Sequence, residues 1–169
     1  MPVLIDTDVA INLMRHSPYT LDRLAQCQDA VFISSISVSE LYFGAYNSER
    51  PEKNVAILQA FLRNFQVLTI TEGVAHLFGK LKASLKRQSV QVAPFDLMIG
   101  SIALENGCMV ATGNIRHFRH IKELQLSDWS RQAEELGLAA PTPPGEYSKL
   151  RGAVGYVLGN RLVIDCMQL

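Results

Sequence analysis

Val3-Leu4-Ile5-Asp6-Thr7-Asp8 (VLIDTD) opens the chain with three β-prone apolar residues and then two carboxylates flanking a threonine. An apolar run bounded by polar residues reads as a short buried strand, which puts Asp6 at its carboxyl end. In open α/β sheets that edge is where ligands bind. Thr7 and Asp8 are good N-caps ahead of Val9, Ile11 and Leu13, so a first helix is expected there, with Asp8 the better cap. Capping alone accounts for both acids if the stretch is taken in isolation. A functional reading requires other carboxylates at the same edge.

Working outward, three more runs have strand character: Ala30 to Ile36 (AVFISSI), Gln66 to Ile70, and Cys108 to Ala111. Helical spacing separates them. Tyr19 to Asp29 reads as a short helix; Val55, Leu58, Leu62 and Phe65 form a stripe after Pro51; and Val74, Leu77, Phe78, Leu81 and Leu85 form another after Thr71, an N-cap. The segment PFDLMIGSIALENG, 94–107, is a nearly all-apolar helix stopped by Gly107. Alternating strands and helices imply βαβ units and a mainly parallel sheet, an α/β fold.

Three acids then share one kind of place. Asp6 follows the first strand, Asp96 starts the central helix, and Glu40 lies just after the second strand. Ser37-Val38-Ser39-Glu40 also matches a capping box, with a helix starting near Ser37, which is the structural account of Glu40. A parallel sheet brings such positions to one edge, where several carboxylates repel unless a cation holds them. Oxygen ligands without Cys or His favour Mg²⁺ or Mn²⁺ over zinc. Such a centre polarises a phosphodiester and activates water, which is chemistry for hydrolysing nucleic acid. In that scheme Asp6 and Asp96 are direct metal ligands, and Glu40 acts through water or orients the attacking water. Asn114 is a neutral acceptor completing the site, Thr112 is a candidate to position the metal's water shell, and Arg116 is a candidate either to hold the substrate phosphate or to serve as an ordinary solvated surface residue. His117 and His120 are acid/base candidates that the scheme does not require. Lys80, Lys82, Lys86 and Arg87 form a solvated helix face that becomes an RNA-backbone track only beside a reactive site.

Bulk properties are compatible with this. At 169 residues and 48% hydrophobic, the chain supports one full core rather than two domains. Sixteen basic residues against sixteen acidic ones leave no global field to attract nucleic acid, so binding must use a local patch. The three cysteines, Cys27, Cys108 and Cys166, are scattered, arguing against a disulfide framework and for a reducing cytoplasm. No membrane segment is expected. Toward the end of the chain, Ser127 to Leu136 reads as a last helix closed by Gly137. A Pro-rich linker (139–145) follows, and then a hairpin around Gly159-Asn160 that must dock on something to persist.

LIDTD, the S-x-x-E helix start, PFDLMIGSIALENG and MVATGNIRHF together resemble the PIN-domain ribonucleases, and specifically the VapC-type toxins of bacterial toxin–antitoxin pairs. Each motif is weak; four in order and in register, from about Val3 to about Trp129, are strong. The resemblance implies a three-layer α/β/α sandwich over residues 1–129 and a divalent-metal endoribonuclease with Asp6, Glu40 and Asp96 as its acids. It also implies a homodimer and neutralisation by a VapB-like antitoxin. Many relatives carry an acid where this chain has Asn114, and residues 130–169 lie outside the family pattern. Three rivals remain: a haloacid-dehalogenase-like phosphatase, for which Asp-x-Asp after a strand also fits; a binding module that has lost turnover; and a processing nuclease without an antitoxin.

Overall fold

Strand β1 (Val3–Ile5) lies at the centre of a sheet, hydrogen-bonded in parallel to β2 (Val31–Ser34) on one side and β4 (Met109–Thr112) on the other. This computed structural model describes residues 1–129. The outer strands are β3 (Gln66–Leu68), beside β2, and β5 (Leu126–Asp128), beside β4, giving five parallel strands in the order β3-β2-β1-β4-β5. Register is set by burial on both faces. Val3 stands opposite Val31 and Met109, and Ile5 opposite Ile33 and Ala111, so that Val3, Ile5, Ile33 and Ala111 face one layer while Leu4 and Val110 face the other. A strand buried on both faces has no polar alternation, which is why VLI is an unbroken apolar run.

The first layer contains α1 (Thr7–Met14), α2 (Pro18–Gln26), α3 (Ser35–Tyr46) and α4 (Pro51–Leu62), which bury Val9, Leu13, Leu24, Leu41, Leu58 and Phe61. The second contains α5 (Glu72–Arg87), α6 (Pro94–Glu105) and α7 (Ile115–Phe118), which bury Val74, Leu85, Leu97, Ile102 and Phe118. The chain is therefore the expected three-layer α/β/α sandwich. Helix α5 runs antiparallel to α6, because Gly73 at its start abuts Glu105 at the end of α6. Its last turn, with Lys86 and Arg87, thus lies at the end of the molecule where α6 begins. Among the described residues no helix is long and apolar enough to cross a membrane.

Three local expectations are corrected. Helix α1 is capped by Asp6, not Asp8: the backbone of Asp6 is still extended, and its carboxylate accepts from Thr7 N at 2.8 Å. Helix α3 starts at Ser35 and is capped by Ser34, whose hydroxyl accepts from Ser37 N at 2.9 Å. Glu40 is therefore in the second turn, too far along for a capping box. Ser127 and Asp128 belong to β5 rather than to a helix, because the open edge of β4 offers a ladder, with Val110 opposite Leu126 and Thr112 opposite Asp128. The remainder of that predicted helix, the Pro-rich linker and the hairpin lie outside the described residues.

Candidate active site

Asp6 ends β1 and is held there by its own backbone, since its N–H donates to Ala111 O at 2.9 Å. The residue is only 7% exposed. One carboxylate oxygen caps α1, and the other accepts from the Thr112 hydroxyl at 2.8 Å. Burial pushes the Asp6 carboxyl up to about 6, and the charges of Asp8 and Asp96 push the same way, while the bonds from Thr112 and Thr7 pull against them.

Asp96 lies in the first turn of α6 and is partly buried. Its Oδ2 lies 3.2 Å from His117 Nδ1. Burial raises its carboxyl as well, helped by the charge of Glu40 and opposed by His117. Glu40, half-buried on α3, accepts at 2.5 Å from the hydroxyl of Thr7. Three acids far apart in the chain thus interact at the carboxyl edge of the sheet, Asp6 with Asp96 and Asp96 with Glu40.

The supporting residues divide differently from expectation. Thr112 is fully buried, and its hydroxyl donates to Asp6 and accepts from the backbone N–H of Asn114 at 2.9 Å. Asn114 is half-buried at the start of α7, and its side chain makes no capping bond. Arg116 is exposed on α7. His117 reaches Asp96, whereas His120 accepts from the neighbouring Arg119. Lys80, Lys82, Lys86 and Arg87 line α5, where Lys86 and Arg87 are exposed and the Lys82 ammonium lies 5.2 Å from the Phe78 ring centroid.

Two contributors were not legible as such. Asp8 accepts from Val9 N at 2.7 Å and from Gly113 N at 2.8 Å, fastening the β4–α7 turn to α1. Burial raises its carboxyl too, with Asp128 adding to the rise. Thr7 reads in the sequence as a cap, yet its hydroxyl serves Glu40; the only signal was its position between two acids.

Asp6, Asp96, Glu40 and Asn114 all carry oxygen acceptors, the donor type that suits a hard cation. Among the described residues no three His, Cys, Asp or Glu side chains close into a cage for a metal ion. Burial raises both Asp6 and Asp96, the charge of Asp96 adding to the rise at Asp6 and that of Glu40 to the rise at Asp96, and a bound cation would oppose those rises.

Residues 3–124 match the family model of the PIN domain. The chain is 34% identical over 128 residues to the tRNA(fMet)-specific endonuclease VapC of Shigella flexneri, covering 75% of this chain and 97% of that protein. It is 32% identical over 127 residues to ribonuclease VapC2 of Haemophilus influenzae, covering 75% and 96%. Among solved structures, DNA-bound VapBC from Salmonella typhimurium superposes with a TM-score of 0.71 at 32% identity, over 76% of this chain and 98% of that one. VapBC-1 from nontypeable Haemophilus influenzae gives 0.71 at 29%, over 78% and 100%.

Proposed function

The chain belongs to the PIN-domain family, and from that premise we propose that it is a divalent-metal-dependent endoribonuclease, the toxin of a VapBC-type pair, hydrolysing RNA phosphodiester bonds. The observation that carries the reading is Asp6: a carboxylate at the end of a central strand, buried, with Asp96 close enough to raise it further. Asp6 and Asp96 would hold Mg²⁺ or Mn²⁺, and a bound cation supplies Lewis acidity that activates water and stabilises the leaving oxygen. Glu40, steadied by Thr7, orients the attacking water and accepts its proton. Asn114 contributes a neutral acceptor. Arg116 holds a phosphate oxygen, and Lys86 and Arg87 guide the RNA backbone toward the α6 end of the molecule.

In this reading residues 1–129 are the nuclease domain and 130–169 a C-terminal extension. The protein works in the cytoplasm as a homodimer and is neutralised by a VapB-like antitoxin. The phosphatase and binding-module readings are not favoured, because the relatives are named as ribonucleases and endonucleases. The test is cleavage of RNA by the purified protein with Mg²⁺, Mn²⁺ or EDTA, beside Asp96→Asn. The tRNA(fMet) named for the Shigella flexneri relative is the first substrate to offer. Cleavage supported by metal, stopped by EDTA and absent in the variant is expected; cleavage that persists in EDTA overturns the reading.

A further inference from the structure

We propose that His117 is a positioning residue for the cation site: its Nδ1–H holds Oδ2 of Asp96, so that the carboxylate presents its other oxygen to the metal. The inference rests on the metal-site reading above and deepens it.

The geometry begins with the pair itself, Nδ1 to Oδ2 at 3.2 Å, joining α7 to α6. A carboxylate only accepts, so the hydrogen is on Nδ1, whether the ring is neutral or charged. The other two acids are served in the same manner by a donor from a different element: Thr112 donates to Asp6, and Thr7 to Glu40. All three acids of the proposed site therefore have one oxygen oriented by a neutral or cationic donor. Asp96 is the one whose donor comes from the short helix α7.

That helix is unusually well fixed for four residues. Phe118, next to His117, is fully buried in the second core layer. Gly113 N–H is tied to Asp8, Asn114 N–H to the Thr112 hydroxyl, and His117 N–H to Asn114 O at 2.8 Å. With its backbone pinned, the imidazole loses little freedom in reaching Asp96, so most of the hydrogen bond is available to orient the carboxylate. His117 also interacts favourably with Asp8 on α1, so its charge is shared by acids of two different elements. Outer partners of this kind fix a ligand's orientation, and their loss typically costs about 10- to 100-fold in metal affinity.

The test is isothermal titration of the purified full-length protein with Mn²⁺ alone, so the readout does not depend on turnover. His117→Ala is expected to weaken Mn²⁺ binding about tenfold or more. His117→Asn, which keeps a donor near the Nδ1 position, should restore most of it, and His120→Ala should bind like wild type. Melting temperatures close to that of wild type are expected, because the side chain is 42% exposed and leaves Phe118 in place. Undiminished Mn²⁺ affinity in His117→Ala overturns the proposal while leaving the cation site intact. Equal weakening in His120→Ala also overturns it, assigning the effect to general charge. Wild-type protein that binds no Mn²⁺ overturns the site reading and this proposal together.

Discussion

The Thr7 hydroxyl donates to the Glu40 carboxylate at 2.5 Å, tying the first turn of α1 to the second turn of α3 across 33 residues of chain. Glu40 is thereby separated from any capping duty, which belongs to Ser34. Glu40→Gln keeps an acceptor for Thr7 and removes the charge. RNA cleavage should fall at least about 100-fold, in the range for loss of a general base, with the melting temperature unchanged. Ser34→Ala should do the reverse, lowering stability by about 1 kcal/mol while active protein that remains folded cleaves normally. Thermal denaturation beside a cleavage assay separates the two.

The elevated Asp6 carboxyl implies a pH-dependent stability in the metal-free protein. In the fold it titrates at about 6, above the 3.8 of an ordinary aspartate, so the folded state holds the proton more tightly. Stability from this group is fully present below about 3.8 and is lost as pH rises through about 6. The full difference is worth about 3 kcal/mol at most, because a tenfold change in proton affinity corresponds to about 1.4 kcal/mol. Asp6→Asn keeps an N-cap, since asparagine caps as well as aspartate. The variant should melt higher than wild type at neutral pH in EDTA and show a flatter dependence between the two pH values, while losing RNA cleavage. Calorimetry across that range checks the sign, and a variant that melts lower at neutral pH contradicts it.

The cations on α5 should not contribute equally. Lys86 and Arg87 are in the last turn, at the end of the molecule where Asp96 lies, whereas Lys80 and Lys82 lie further back along the helix. Neutralising Lys86 and Arg87 together should weaken RNA binding and reduce the slope of log affinity against log salt by about 1 to 2. The same change at Lys80 and Lys82 should move that slope less. Affinities measured over several salt concentrations decide this.

Two glycines give opposite expectations. A Cβ on Gly100 would meet Ile121 Cδ1 at 2.5 Å and Leu124 Cδ2 at 3.3 Å, inside the packed second layer. Gly100→Ala should destabilise by about 1 to 3 kcal/mol, as overpacking does. On Gly73 the nearest atom is the tip of Glu105, which can swing aside. Gly73→Ala should be neutral or stabilise by up to about 1 kcal/mol through helix propensity. Chemical denaturation of both variants measures the contrast.

Much of this was legible before folding. An apolar triplet ahead of Asp6 signals a buried strand, the helical stripes mark α4 and α5, and PFDLMIGSIALENG reads as a buried helix with Asp96 at its positive end. These are local signals, because hydrophobic period and helix-start chemistry act over a few residues. The acids at element ends were visible for the same reason.

What only the tertiary structure decided is which neighbour each polar atom meets. Asp6 caps α1 because the chain turns immediately after β1, leaving Asp8 to fasten Gly113. The β5 ladder exists because β4 has an open edge to fill, and so short a strand carries too little pattern to announce it. Thr112 finds Asp6 across 106 residues, and His117 finds Asp96 from another helix. VLIDTD determined by itself that an acid would end a central strand. That the acid is buried, and that other acids help raise it to about 6, was settled by packing, since burial and repulsion are properties of distance in space and not of separation in sequence.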